Sequence, residues 1–317
     1  MKSKLYSPIA TLLVGLLLSW TTLTRAADEV PLPQEITLNG VEFVLIPEGW
    51  FYRSVSALDD DWIKSDRFPL VRIWLDSYYI AKYEARSGDL LRFFNHQIDN
   101  NPDFSHKLHY SCIVRPGEDG YYQLDPGAEE LPASGLSWGQ SAAFAKWMGF
   151  RLPNESEWEK AARGTDKRLF PWGDLQPDQS FVVFGYPFTN PIVGGCEMLM
   201  PVDSFPEGRS PFGVYQMGGN VREYVADGAD FIEHEYQTWL KDGMRNPPPG
   251  DAFTNSSYRI LKGGRWGDVA NSIAISNRAY RMGDWNPFRC NGLRFAVDAD
   301  VVRQHLRQRQ AAQTRKR

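Results

Sequence analysis

Hydrophobic and polar positions change rhythm several times along this chain. Residues 8–20, PIATLLVGLLLSW, form an apolar run behind Lys2 and Lys4 and ahead of Thr24-Arg25-Ala26. A membrane span needs about 20 apolar residues, and this run is shorter. A basic start, an apolar centre and a small-x-small end instead predict a secretory signal peptide over residues 1–26. From Ile36 the rhythm is alternation. ITLNGVEFVLIPEGWFYRS reads as a strand, a turn at Asn39-Gly40 and a continuing strand. VRIWLDSYYIAKYEA reads as another strand pair. The rhythm then lengthens to a helical one. SGDLLRFFNHQI predicts a helix capped by Ser87. SWGQSAAFAKWMG predicts a second, with Ser137 and Gln140 as a capping box and Gly149 just past its end. NESEWEKAARG predicts a third: Asn154 caps, Glu157 stands three residues on, Trp158, Ala161 and Ala162 supply the apolar face, and Gly164 stops it.

Past Gly164 no long periodic segment remains. PWGDLQPDQS, SFPEGRSPFGVYQMGGN and NPPPGDAFTNSS are turn-rich, and RCNGLRFAVD is the last strand-like core segment. Residues 301–317 are basic and carry no apolar period, which predicts a disordered tail or a fraying helix. No linker or repeat divides residues 36–298. The expectation is one α+β domain with much irregular structure.

Composition sharpens this in a few places. Among 317 residues, 27 glycines and 21 prolines agree with a loop-rich fold, and 11 tryptophans supply buried area whose N–H groups need partners. A formal charge of -4 gives no general attraction for nucleic acid. No second apolar run follows the signal, so no integral span is expected in a periplasmic or secreted mature protein. Cys112, Cys196 and Cys290 are far apart and allow three choices of a single disulfide in an oxidising compartment, or burial as thiols. The five histidines are scattered, and P-loop, GxGxxG, GxSxG and HExxH patterns are absent from the sequence.

Two stretches carry candidate chemistry. In LKGGRWGDVANSIAISNRAYR, Gly263-Gly264 permit close backbone approach, Trp266 offers a stacking face, and Asp268 offers a proton acceptor. The plainer alternative is that Trp266 is core and Asp268 caps a turn. Arg278 and Arg281 suit either a bound carboxylate or carbonyl, or ion pairs inside the protein. In MGGNVREYVAD, a bent backbone followed by Glu223 is the type of oxygen cage that calcium takes.

Several segments then occur together and in order: GLSWGQSAAFAKWMGFRLPNESEWEKAARG, FPWGD, PVDSFPEGRSPFGVYQMGGNVREYVAD, RILKGGRW and NGLRFAV. This combination resembles the formylglycine-generating-enzyme or sulfatase-modifying-factor family over Ile36 to Asp298. The resemblance implies a decorated C-type-lectin-like fold with mixed sheets, two main helices and many loops. It implies structural calcium held by carbonyls of Gly218, Gly219 and Val221 and by Glu223. Enzymes of the family oxidise a substrate cysteine with copper on two cysteines five residues apart, just after the double glycine. Counted without gaps, this chain has Asp268 and Ile273 there. Copper(I) needs the thiolate pair, so no copper is expected and iron is left open. The resemblance is to a cysteine-less exported branch that includes a periplasmic pyoverdine-maturation protein, linked to oxidation of a siderophore chromophore. It implies an oxidoreductase-like maturation role on a siderophore chromophore or a protein. Asp268 would be the acid/base, and Trp266, Arg278 and Arg281 would bind the substrate. The alternative is a non-catalytic module that binds a small molecule, peptide or protein.

Overall fold

A computed structural model describes residues 30–54, 70–101, 113–186, 198–229, 240–248, 258–282 and 290–315, with the side chains of residues 229 and 280–282 left aside. The signal-peptide expectation, Cys112 and Cys196 lie outside these residues. Residues Gln34–Asp298 form one unit.

The alternating segments fold as strands. β1 (Glu35–Leu38) turns through Asn39 and Gly40, both at positive φ (48° and 83°), into β2 (Val41–Ile46). A two-residue turn of this hand matches strand twist and demands positive φ at both positions, which Asn-Gly supplies. β3 (Gly49–Ser54) and β4 (Leu70–Leu75) pair with each other, Trp50 opposite Trp74. β5 (Tyr78–Ala81) follows β4 directly but pairs with β2 instead, Val44 opposite Ile80. The strand pair expected within VRIWLDSYYIAKYEA is therefore two strands with different partners. All four β5 residues are buried, so its side chains belong to the interior of a larger sheet.

α1 (Ser87–Asn100) starts at its predicted cap residue, with Arg86 in the cap position instead. Ser87 lies inside the helix, and its hydroxyl donates to the Pro132 carbonyl (3.1 Å). Two short strands follow, β6 (Val114–Pro116) and β7 (Tyr122–Leu124). α2 (Trp138–Trp147) and α3 (Glu155–Arg163) begin at the predicted capping boxes, with Ser137 and Gln140 reciprocal in one and Asn154 and Glu157 in the other. β8 (Arg222–Ala229), β9 (Tyr258–Lys262) and β10 (Ala279–Met282) form an antiparallel run, and β11 (Asn291–Leu293) adds parallel to β8. β12 (Ala296–Asp298) closes the first sheet against β5. The sheet orders are β1-β2-β5-β12 and β10-β9-β8-β11.

α3 is the pivot. Trp158, Ala161 and Ala162 pack with Val44 and Ile80 of the first sheet and with Val225 and Ile260 of the second. Eight of its nine residues are buried, among them three glutamates, Lys160 and Arg163. Buried charges persist only with partners, so this helix must bring its counter-ions with it.

The second unit contains α4 (Ala299–Thr314), the helical one of the two forms expected for the tail. The aperiodic sequence is rich in Ala, Gln and Arg, which are strong helix formers without any apolar stripe. Asp300 and Arg303, three apart, pair on it at 2.6 Å. Among the described residues no helix is long and apolar enough to cross a membrane.

Candidate functional site

The double glycine is fixed by close approach. Gly263 and Gly264 have φ of 87° and 69°, and a Cβ on Gly264 would sit 2.7 Å from the Ser272 carbonyl oxygen and Ile273 Cγ2. The turn is zipped to the MGGN turn: Gly219 N–H donates to the Gly263 carbonyl (2.8 Å), and Trp266 N–H donates to the Asn220 carbonyl (3.1 Å). Both motifs singled out in the sequence thus form one structural element.

Asp268 stands over this element as the centre of an arginine clamp. Arg222 donates to its Oδ2 from Nε and Nη2 (3.0 and 2.7 Å), and Arg265 Nε donates to its Oδ1 (3.0 Å). The Arg265 backbone N–H adds a bond at 3.1 Å. Asp268 is 8% exposed. Arg265 and Trp266 also hydrogen-bond the buried Cys290 thiol, whose pKa is pushed up by burial against the pull of those bonds and of the two arginines. Trp266 is 1% exposed and packs with Val221, Val183 and Cys290. The stacking face expected of it is turned into the core, because an indole at a turn this tight meets protein on both sides. Ile273, at the second copper-cysteine position, is fully buried beside Phe170 and Val182.

Arg278 does not join Asp268. It pairs with Glu155 at the head of α3. Arg281 stands in β10 opposite Arg259, with its side chain outside the described set. The acid's partners, Arg222 and Arg265, are the residues that sequence reading missed. Arg265 was visible three residues before Asp268. Arg222 was visible inside the MGGNVREY stretch, immediately before Glu223.

Beneath this lies a buried ionic cluster. Glu155 pairs with Arg53 (2.7 Å) and Arg278, and Glu159 pairs with Arg53 (2.9 Å) and Arg163 (2.9 Å). Ser54 donates to Glu159 from its amide (2.6 Å) and hydroxyl (2.7 Å). Burial would raise both carboxyls. Arg278, Arg53 and Lys262 overcome it and hold Glu155 well below the usual range, while Arg53, Lys262 and Arg163 bring Glu159 to about 2. Lys262 is less well served. Its Nζ lies 3.5 and 3.6 Å from the two glutamates and makes no hydrogen bond among the described residues. Burial, reinforced by Arg278 and Arg53 and opposed by the glutamates, lowers it to about 8.

A second buried pair sits by the MGGN turn. Glu223 accepts from Arg294 (2.7 and 3.0 Å) and from the Trp158 indole (2.7 Å). Glu84 accepts from Asn220 Nδ2 (2.7 Å) and the Val221 amide (3.4 Å). Burial and then the neighbouring Glu223 push Glu84 well above the carboxylate range, against the pull of Arg294. Two buried carboxylates share one guanidinium, and the buried Gln216 Oε1 in the same segment has no hydrogen-bond partner. That donor set, with a second carboxyl that a cation would ionise, fits a hard cation. Among the described residues no three His, Cys, Asp or Glu side chains converge as a metal site, so such a cation would depend on carbonyl oxygens.

Residues 29–299 match the model of the sulfatase-modifying factor enzyme 1-like domain. Serine/threonine-protein kinase pkn1 of Chlamydia pneumoniae is 29% identical over 259 residues, covering 80% of this chain and 37% of that protein. Hercynine oxygenase of Mycolicibacterium smegmatis is 26% identical over 283 residues, covering 80% of this chain and 61% of that protein. The chain therefore spans from about a third to three fifths of these relatives' lengths. The solved structure of PvdO from Pseudomonas aeruginosa superposes with a TM-score of 0.58 at 20% identity, over 85% of this chain and all of that one. The fold is thus α+β and of the formylglycine-generating, C-type-lectin-like type.

Proposed function

The chain belongs to the sulfatase-modifying factor enzyme 1-like family, and from that premise we propose that it acts in oxidative maturation of a periplasmic or secreted substrate without a cysteine pair. The Asp268 clamp carries the reading: the position of a redox cysteine in the family holds an acid bound by Arg222 and Arg265. Ile273 at the second position offers no ligand atom. Likeness to an oxygenase along most of the chain supports an oxidative reaction class. Asp268 is the candidate acid/base, oriented by its two arginines, with Arg281 as the substrate-side candidate, since Arg278 is committed to Glu155. Export rests on the basic and apolar pattern of residues 1–26.

Two assays test this. Incubated with copper, oxygen and a cysteine-containing sulfatase peptide, the protein is expected to form no formylglycine by mass spectrometry. In a strain lacking the protein, one envelope or secreted molecule is expected to accumulate in a form two hydrogens heavier. Formylglycine at enzymatic rates would end the non-cysteine reading. Identical mass profiles with and without the protein would end the oxidative one and leave a binding module. That second reading is favoured by one observation: Trp266 and both oxygens of Asp268 already have partners inside the protein.

Calcium is part of the same proposal. Carbonyls of Gly218, Gly219 and Val221, with Glu223, would hold the ion, which would supply the counter-charge that Glu84 and Glu223 share too thinly. A ligand bound only by the native state adds RT ln(1 + [L]/Kd), about 2.7 kcal/mol at a hundredfold excess over Kd. Chelation is therefore expected to lower Tm by several degrees, and Glu223→Gln is expected to remove that response. A melting curve indifferent to both calcium and chelator would count against the site.

A further inference from the structure

We propose that the outer face of the β3–β4 hairpin is a docking strip for an extended acidic polypeptide segment. The strands pair Trp50 with Trp74 and Tyr52 with Arg72, which sets these four side chains on one face. Trp50, Tyr52 and Trp74 are half-buried, while Arg72, Arg245 and Lys167 are exposed. The two indoles meet edge to face, with centroids 5.6 Å apart. Each ring carries a cation: Arg72 stands 4.9 Å from the Trp50 centre, Arg245 4.1 Å from Trp74, and Lys167 4.6 Å from Tyr52.

What marks this strip is that three ring-stacked cations stand together without a counter-charge among the described residues. Other cations of this protein also lie over rings, such as Lys82 and Arg86 at Tyr83. Those two are neutralised, Lys82 by Glu35 (3.0 Å) and Arg86 by Glu130 (2.8 Å). Among the described residues, Arg72, Arg245 and Lys167 have no carboxylate within ion-pair distance and no side-chain hydrogen bond. The two rim acids are held by neutral donors and not by these cations: Asp242 accepts from the Arg72 amide (2.7 Å), and Asp76 from the Trp74 indole (3.1 Å) and Asn246 (2.9 Å). The chain as a whole is acidic, with a formal charge of -4, so the strip is a local exception.

Stacking holds each guanidinium in place while leaving N–H edges outward, so less freedom is lost when a carboxylate forks onto them. Spacing selects the partner. Rings two apart on β3 stand about 7 Å apart, because a strand rises about 3.4 Å per residue. An extended peptide with an acid at every second residue presents carboxylates at that same repeat. A polyanionic glycan would supply charge without this register.

The test is fluorescence titration at low and moderate salt with two 12-residue probes of equal charge. One alternates Glu and Thr; the other carries its glutamates in one block. A sulfated oligosaccharide of the same charge is the third probe. The alternating peptide is expected to bind at least tenfold tighter than either, with affinity falling as salt rises. Arg72→Glu combined with Arg245→Glu, both exposed and therefore compatible with folding, is expected to abolish that binding with Tm unchanged. Equal binding of the block peptide or the glycan, or full binding by the double variant, would overturn the proposal.

Discussion

Replacing Glu155 by alanine is expected to destabilise the fold by about 3–5 kcal/mol, the scale of breaking a buried ion pair from one side. Glu155 is fully buried, and Arg53, Arg278 and Lys262 converge on it. The substitution leaves those cations with Glu159 as their main counter-charge, in a region from which water is excluded. Total stability of an ordinary domain is about 5–15 kcal/mol, so much of the margin would go. Urea denaturation of wild type and variant measures the change. Glu130→Ala is the control: its pair with Arg86 is 61% exposed on the acid side, and a surface pair is worth about 0–1 kcal/mol. Equal small losses in both variants would show that the cluster is not a buried keystone. The pH dependence has the matching sign. Both glutamates have depressed folded pKa values, so their stabilisation is present above the ordinary value of 4.5 and is lost as pH falls, for Glu159 towards about 2.

Lys262→Met is expected to act in the opposite direction and raise stability at pH 7. The buried ammonium makes no hydrogen bond among the described residues, and both glutamates keep Arg53, with Arg278 and Arg163 besides, when it is gone. Lys262 titrates near 8 when folded, against 10.5 for the ordinary side chain. Between those values the unfolded chain binds more protons, so wild-type stability rises with pH from about 8 to about 10.5. The difference corresponds to on the order of 3 kcal/mol of penalty for carrying the charge below pH 8. Lys160, also lowered to about 8 mainly by burial, contributes in the same direction and remains in the variant. Chemical denaturation at pH 7 and pH 9.5 should therefore show a more stable variant with a shallower rise. A variant less stable at pH 7, or an unaltered rise, would refute this account of Lys262.

Much of the scaffold was legible in the sequence because its signals are local. The Asn39-Gly40 turn and the two capping boxes each depend on residues within four positions, and they form where expected. Partnership was not legible. Nothing in VRIWLDSYYIAKYEA says that β4 returns to β3 while β5 crosses to β2. The partners of the candidate site residues were hidden for the same reason. Asp268 was found, but its partner Arg222 is 46 residues away, and Arg53 is 106 residues from Glu159. Arg278 matched the expected chemistry of an arginine fork but took an internal acid, the alternative that the sequence could not rank. α4 was legible only as one of two readings: the lack of an apolar stripe left disorder and a fraying helix both open, and backbone propensity favours the helix.

The closing strands have a consequence for the timing of synthesis. β12 completes one sheet and β11 the other, and between them Arg294 arrives as the counter-ion of Glu223. A nascent chain that ends before Asn291 has two sheets lacking their last strand and a buried acid lacking its cation. It has little to gain from collapsing early. The native arrangement becomes the favoured one only when nearly the whole of residues 34–298 has left the ribosome. A late-folding chain of this kind stays threadable while it is being made, the condition in which a narrow translocation channel can take it.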